Sequence, residues 1–222
     1  MFDSTGSAVN RKLKTISWRR RNKNVNPTII SQNCIGGVIY SDLGLKFSSP
    51  TINMFIEDND FVKLAENPRQ YFYTQRPKPI GFEQAGGVSN CPVFGVGDIK
   101  CYALHYATPE EACACWSRRA SRADLNNVFV IANAWNLHYR ADYIERLDAL
   151  SCPTVIFSDV YFDYPSVFKM PGDFWQRDDR GIVRPNITDV ESKGIRYFER
   201  FFDFVHFLNS PFSAAQDFEI RD

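Results

Sequence analysis

Apolar positions in this chain fall into short runs separated by glycine, proline and asparagine, and their spacing changes along the sequence. After Asn26-Pro27, the run Thr28-Ile29-Ile30-Ser31 reads as a short buried strand. A glycine-bearing turn, Gln32-Asn33-Cys34-Ile35-Gly36-Gly37, leads into a short helix over 38–43 that stops at Gly44. Weak alternation over 51–56 suggests a second strand, and Asp58 or Asp60 then caps a helix running through Phe61, Leu64 and Ala65 towards Tyr71. Residues 77–107 are rich in Gly and Pro, and the strand-like stretch 99–106 among them suggests β-hairpins. Thr108-Pro109-Glu110-Glu111 is the sharpest local signal: an N-cap, a proline at the first helical position and a glutamate three residues after the cap. The helix it opens extends to about Arg122, with Ala112, Cys115, Trp116 and Arg119 on one face. A buried strand over 127–132, an amphipathic helix over 140–150 and a buried strand over 153–158 follow. A last helix, about 194–208, carries Ile195, Phe198, Phe201, Phe202, Val205 and Leu208 on its apolar side.

Helix and strand alternate from 108 to 158, and strand–turn–helix opens the chain, so the expected fold is α/β, three-layered, with parallel sheet and right-handed crossovers. The expected organisation is a basic arm over 1–26 and one α/β domain over 27–222. Within that domain, two lobes (27–76 with the C-terminal elements, and 77–165) are an option.

Composition narrows the class. With 222 residues, 44% hydrophobic and 23% charged, the chain is globular rather than disordered or fibrous. Lys+Arg 26 balances Asp+Glu 26, so the whole lacks the basic signature of a nucleic-acid binder. No run reaches the roughly 18–20 apolar residues of a membrane helix, and the polar start lacks a secretory h-region. A cytoplasmic protein is expected. The balance hides an asymmetry: residues 1–26 hold Arg11, Lys12, Lys14, Arg19, Arg20, Arg21 and Lys23 against Asp3 alone, leaving a net +6 arm on a −6 body. Leu13, Ile16 and Trp18 among these cations suit either a weak anchor on an anionic inner-membrane surface or partner protein, or a solvated helix that packs Leu13 and Trp18 on the domain.

Six cysteines without a C-x-x-C pair, and three dispersed histidines, have no structural-zinc spacing, and no metal or cofactor is indicated. In open α/β sheets ligands bind beyond the carboxyl ends of strands, which points to 31–37, to Asn53 onward, to 133–138 and to 158–164. Gly36 and Gly37 at a helix start suit an anion such as a phosphate, or merely a tight turn. Cys34 in that turn is a candidate nucleophile whose thiol a helix N-terminus would make more acidic, or a buried cysteine. Asp58-Asn59-Asp60 reads as helix capping sooner than as a cation site, and Gly95-Val96-Gly97 precedes a strand and so fails the dinucleotide context. Arg118 and Arg119 splay to two sides of their helix; one suits a phosphate and the other a structural carboxylate. His105, ending an apolar run, suits a general acid or base, or a core histidine.

Taken in order, TIISQNCIGGVIYSDLGLKFSSPTINMFI, KPIG, LHYATPEEACACWSRRASR, NNVFVI and FFDFVHFLN resemble a bacterial family of exopolysaccharide biosynthesis proteins, over about residues 28–209. The N-C-x-G-G turn and the later H-Y and W-x-R-R block carry the resemblance, and Ile35 departs from it where an aromatic residue is expected. The resemblance implies an α/β fold with parallel sheets and a place in surface-polysaccharide assembly, but no established catalytic residue. The expected activity is a transferase acting on a sugar or sugar phosphate. Asn33, Gly36, Gly37 and Asn53, with Trp116, would bind a sugar or nucleotide-sugar ligand. Arg118 or Arg119 would neutralise phosphate charge, and His105 would act as acid or base. The alternatives are a non-catalytic binding or assembly subunit, and a Cys34-based hydrolase or acyltransferase, which requires a partly exposed thiol with a base in reach.

Overall fold

The runs with no alternation, 28–31, 128–134 and 154–158, become strands whose residues are all buried, β1 (Thr28–Ser31), β6 (Val128–Ala134) and β7 (Thr154–Ser158). Strands buried on both faces require cover on both faces, and that is what forms here. The computed structural model describes residues 4–85, 88–135, 141–171, 175–177, 183–185, 188, 190, 194–210 and 214–220. Together with β8 (Val167–Lys169) the three strands make a parallel sheet of order β1-β6-β7-β8. Ile29, Phe129, Ile131, Val155, Phe157 and Phe168 face one layer, built from α2 (Ile35–Leu43) and α6 (Phe204–Asn209). Ile30, Val130, Ala132, Ile156 and Val167 face the other, where α3 (Asp58–Glu66), α4 (Pro109–Ala120) and α5 (Ala141–Asp148) pack.

The Gly/Pro-rich middle is an antiparallel sheet of order β2-β5-β4-β3, comprising β2 (Phe55–Ile56), β3 (Pro77–Ala85), β4 (Val88–Val96) and β5 (Ile99–Tyr102). Its Phe94, Val96, Ile99 and Cys101 belong to the same core cluster as α4's Trp116. A short antiparallel pair, β9 (Trp175–Arg177) and β10 (Val183–Pro185), completes the strands among the described residues. Because β1 pairs with β6 residue for residue, a boundary at 76/77 would cut one sheet between two lobes, and the chain is not divided there.

Thr108 caps α4 as its sequence dictates: its side chain accepts from Glu111 N at 3.1 Å, and Glu111 answers by accepting from Ala107 N at 3.0 Å. Thr108→Ala should lower stability by about 1 kcal/mol in urea denaturation, with the fold retained.

Three expectations fail. The helix towards Tyr71 ends at Glu66, ahead of Asn67-Pro68, and resumes as a π-helical turn, Gln70–Thr74; Glu57, not Asp58 or Asp60, takes the cap position. The stretch expected as strand 51–56 is mostly turn, with Asn53 in the left-handed region (φ 61°). The last helix breaks into a 3-10 turn, Tyr197–Arg200, and α6, because Asp203 accepts from Val205 N and His206 N and so starts a new helix.

The basic arm is helix α1 (Ser4–Arg21), docked on the domain. Arg11 pairs with Asp42 and Glu199, Arg21 with Asp203, and Arg19 donates to Asp42 O at 2.8 Å beside the carboxyl end of α2. Trp18 meets Phe204 edge-on at 5.1 Å. Gly194 (φ 71°) is required where α1 crosses, since a Cβ there would lie 2.3 Å from Ser7 O. Trp18 packs as expected, but Leu13 does not: it is 61% exposed, on the face turned away from the domain.

Candidate functional site

The turn after β1 and the segment after β5 meet beyond the carboxyl ends of the parallel strands. Cys34 takes the N-cap position of α2, half-buried, and its Sγ lies 3.3 Å from Nε2 of the exposed His105. The two are 71 positions apart in the chain. Asn33 turns its carboxamide between two neighbours: its Nδ2 donates to Asn133 Oδ1 at 3.1 Å, and its Oδ1 accepts from Ile35 N at 2.9 Å. Below them Gln32, 2% exposed, joins four elements: its Oε1 accepts from Asn133 N and the Tyr143 hydroxyl, and its Nε2 donates to Ile56 O and Asp58 Oδ1. A buried amide with donors and acceptors all matched fixes the floor of the site rather than leaving a polar group to be solvated.

The local glycines serve packing, not ligand approach. A Cβ at Gly36 would lie 2.8 Å from Ser31 Cβ, and one at Gly37 would lie 2.8 Å from Asn53 Oδ1 and 3.3 Å from Ile52. The first helical amides are also occupied, since Gly36 N donates to Ser31 Oγ at 3.2 Å and Ile35 N to Asn33. The expected phosphate cradle is therefore filled from within, and Asn53 is a turn residue laid over α2. Gly37→Ala should cost about 1–3 kcal/mol by overpacking this contact, read as a fall in the thermal midpoint.

Arg119 is buried, at 7% exposure, behind the site. Its Nη1 donates to Ile52 O at 3.1 Å and to the Tyr106 hydroxyl, and its guanidinium lies over the rings of Phe47 (5.3 Å) and Tyr106 (5.8 Å). Tyr106 in turn donates to Ile52 O at 2.9 Å. This clamp ties the segment carrying His105 to the turn that packs on α2. It corrects the assignment of Arg119 as a phosphate ligand, because side chains already fill the space in front of it. Arg118 lies on the outer side of α4, its Nη2 donating to Cys115 Sγ at 3.1 Å, away from this cluster. Trp116 is no ligand platform either: it is 1% exposed, with Phe72 and Phe94 edge-on at 6.0 and 5.7 Å, and its Nε1 donates to Tyr71 O.

Burial pushes the Cys34 thiol above its ordinary value, opposite to the shift expected from its place at a helix start. The thiol therefore holds its proton at neutral pH, and a base in contact is what would make it a nucleophile. Asp58 and Asp60 are engaged by protein groups, Gln32 Nε2, Lys100 N and Lys63, and among the described residues no group of His, Cys, Asp and Glu gathers as metal ligands. A cleft of about 620 Å3 lies apart, between α3 and the π-helical turn, lined by Glu66, Arg69, Gln70 and Leu125. Residues 136–140, which follow β6 and include His138, fall outside the described residues.

Sequence reasoning named Asn33, Cys34 and His105, which the fold brings together. It placed Gln32 and Asn133 only inside candidate ligand stretches and gave Tyr106 no role; the signal for Asn133 was a polar residue interrupting the apolar run of β6.

A family model described as "Domain of unknown function (DUF1919)" matches residues 5–209. An uncharacterized protein of Haemophilus influenzae (strain ATCC 51907 / DSM 11121 / KW20 / Rd) is 32% identical over 133 residues. That match covers 59% of this chain and 62% of the relative's own length.

Proposed function

The chain belongs to the DUF1919 family, and within that family we propose that it is an acyltransferase with Cys34 as nucleophile and His105 as general base. The contact between Cys34 Sγ and His105 Nε2, 3.3 Å, carries this reading. Cys34 Sγ attacks the carbonyl carbon of an ester or thioester donor while His105 takes the thiol proton and hands it to the departing alcohol or thiol. One Asn33 Nδ2 proton is held by Asn133; the other is the donor we assign to the developing oxyanion. An acceptor hydroxyl then attacks acyl-Cys34, His105 takes its proton, and Cys34 leaves as the thiol.

The resemblance to exopolysaccharide biosynthesis proteins supplies the acceptor class, a sugar hydroxyl. The basic arm adds a setting at the inner-membrane surface, on its cytoplasmic side. We prefer acyl transfer to the sugar-phosphate chemistry anticipated from Arg118 and Arg119, because protein groups already engage both guanidiniums, Cys115 Sγ for Arg118 and Ile52 O with the Tyr106 hydroxyl for Arg119. The experiment is to incubate the protein with activated acyl esters and simple sugars and to follow ester consumption and sugar acylation by mass spectrometry. Acylated sugar formed only when Cys34 is present supports the reading. Ester untouched at every pH, with the chain folded, contradicts it and leaves the binding or assembly subunit.

A further inference from the structure

Among the described residues, the docking of α1 leaves one of its faces without a partner in the domain, and that face has an ordered chemistry. Val9, Leu13 and Ile16, at spacings of four and three, are 54%, 61% and 38% exposed, and Arg20 continues the same line one turn on. Lys12 borders the line, Lys14 lies further round towards Arg21, and both are exposed with Arg20. Residues 4–26 contain no acid. The opposite face is committed to the domain by Arg11, Arg19, Arg21 and Trp18, so the apolar line is held outward and cannot fold back.

We propose that the outer face of α1 lies on an anionic membrane surface, with Val9, Leu13 and Ile16 in the headgroup–acyl boundary and Lys12, Lys14 and Arg20 among the headgroups. Three features single out this occupant. The helix spans 18 residues, about 27 Å along the surface, which suits an in-plane helix. Its cations complement an anionic leaflet. An apolar centre between cations offers nothing to a phosphodiester backbone, and the −6 body would repel nucleic acid. A second copy laid face to face would bring Lys12, Lys14 and Arg20 against their like. The inference does not rest on the Cys34 chemistry: α1 is anchored beside the carboxyl end of α2, and Cys34 caps its other end, about 14 Å along the helix.

The test is flotation of the full chain with phosphatidylcholine vesicles, with and without phosphatidylglycerol. Binding is expected to the anionic vesicles, at least about tenfold stronger than to phosphatidylcholine alone, and to weaken as salt rises. Lys12→Glu/Lys14→Glu/Arg20→Glu and, separately, Leu13→Glu/Ile16→Glu should each abolish it. Both sets change exposed positions, so circular dichroism and activity on a water-soluble ester should match the parent, which separates failure here from failure of the acyltransferase reading. No binding to anionic vesicles would overturn the proposal. So would binding unaffected by the Leu13/Ile16 exchange, duplex DNA competing the vesicles away, or a dimer that the Leu13/Ile16 exchange dissociates.

Discussion

Cys34→Ala should reduce acyl transfer by on the order of 10³-fold or more, and His105→Ala by about 10²–10⁴-fold, with melting curves close to the parent's. The asymmetry of mechanism lies in what each variant retains. Without Cys34 no covalent intermediate forms, and raising the pH restores nothing. Without His105 the thiol remains but must ionise unaided, and burial has moved it above the ordinary thiol value. The loss in His105→Ala should therefore shrink as pH rises, and iodoacetamide should alkylate Cys34 more slowly than in the parent at neutral pH, with the two rates converging in base. Half-exposure of Cys34 and the exposed imidazole make both measurements practical on folded protein. Equal alkylation rates at neutral pH in parent and His105→Ala would show that the imidazole does not assist the sulfur.

Arg119→Ala should produce the second large effect, on stability and activity together. Removing the guanidinium takes away a donor to Ile52 O and the Tyr106 hydroxyl and leaves a cavity beside Phe47, costing about 2–4 kcal/mol in denaturant unfolding. Arg119 touches neither Cys34 nor His105 in the hydrogen-bond network; it is a positioning residue, acting through Tyr106 on the segment that presents His105. Activity should fall by roughly 10–10²-fold, because displacement of a catalytic group by about an ångström carries such a loss. The deficit should appear in kcat more than in KM, and in slower neutral-pH alkylation of Cys34. A protein destabilised to that degree but with unchanged Cys34 alkylation would reduce Arg119 to a purely structural residue.

The elements that local pattern specifies are the ones that could be read from the chain. Thr108-Pro109-Glu110-Glu111 contains its own cap, and the unbroken runs at Ile29–Ile30, Val128–Ala132 and Val155–Phe157 announce strands covered on both faces. Much of what escaped reading was decided by distant contacts, and some by a cap or a proline that local pattern did not weigh heavily enough. Nothing near Leu13 distinguishes it from Trp18; the aromatic ring is drawn inward by Phe204, 186 residues further on, and the leucine is left outside. The C-terminal apolar stripe is continuous through Phe201 and Phe202, yet Asp203 interrupts it because its carboxylate finds two amide partners of the next turn. In the site, the sequence identified a cysteine at a strand end and a histidine after an apolar run, but their contact depends on how the antiparallel sheet sits on α4, which no spacing encodes. The helical spacing already put Arg119 on the face of Trp116, but that it meets Tyr106 and Phe47 there was decided by packing. Gly36 and Gly37 looked like room for a ligand and are room for Ser31 and Asn53.

The most direct measurement is capture of the covalent intermediate: brief reaction of the intact chain with an activated acetyl ester, acid quench, and peptide mapping by mass spectrometry. The account predicts a single acetyl group, on Cys34, labile to hydroxylamine, accumulating at neutral pH in the parent and strongly diminished in His105→Ala. Acetyl groups scattered over lysines, or on Cys113 and Cys152 as readily as on Cys34, would contradict it.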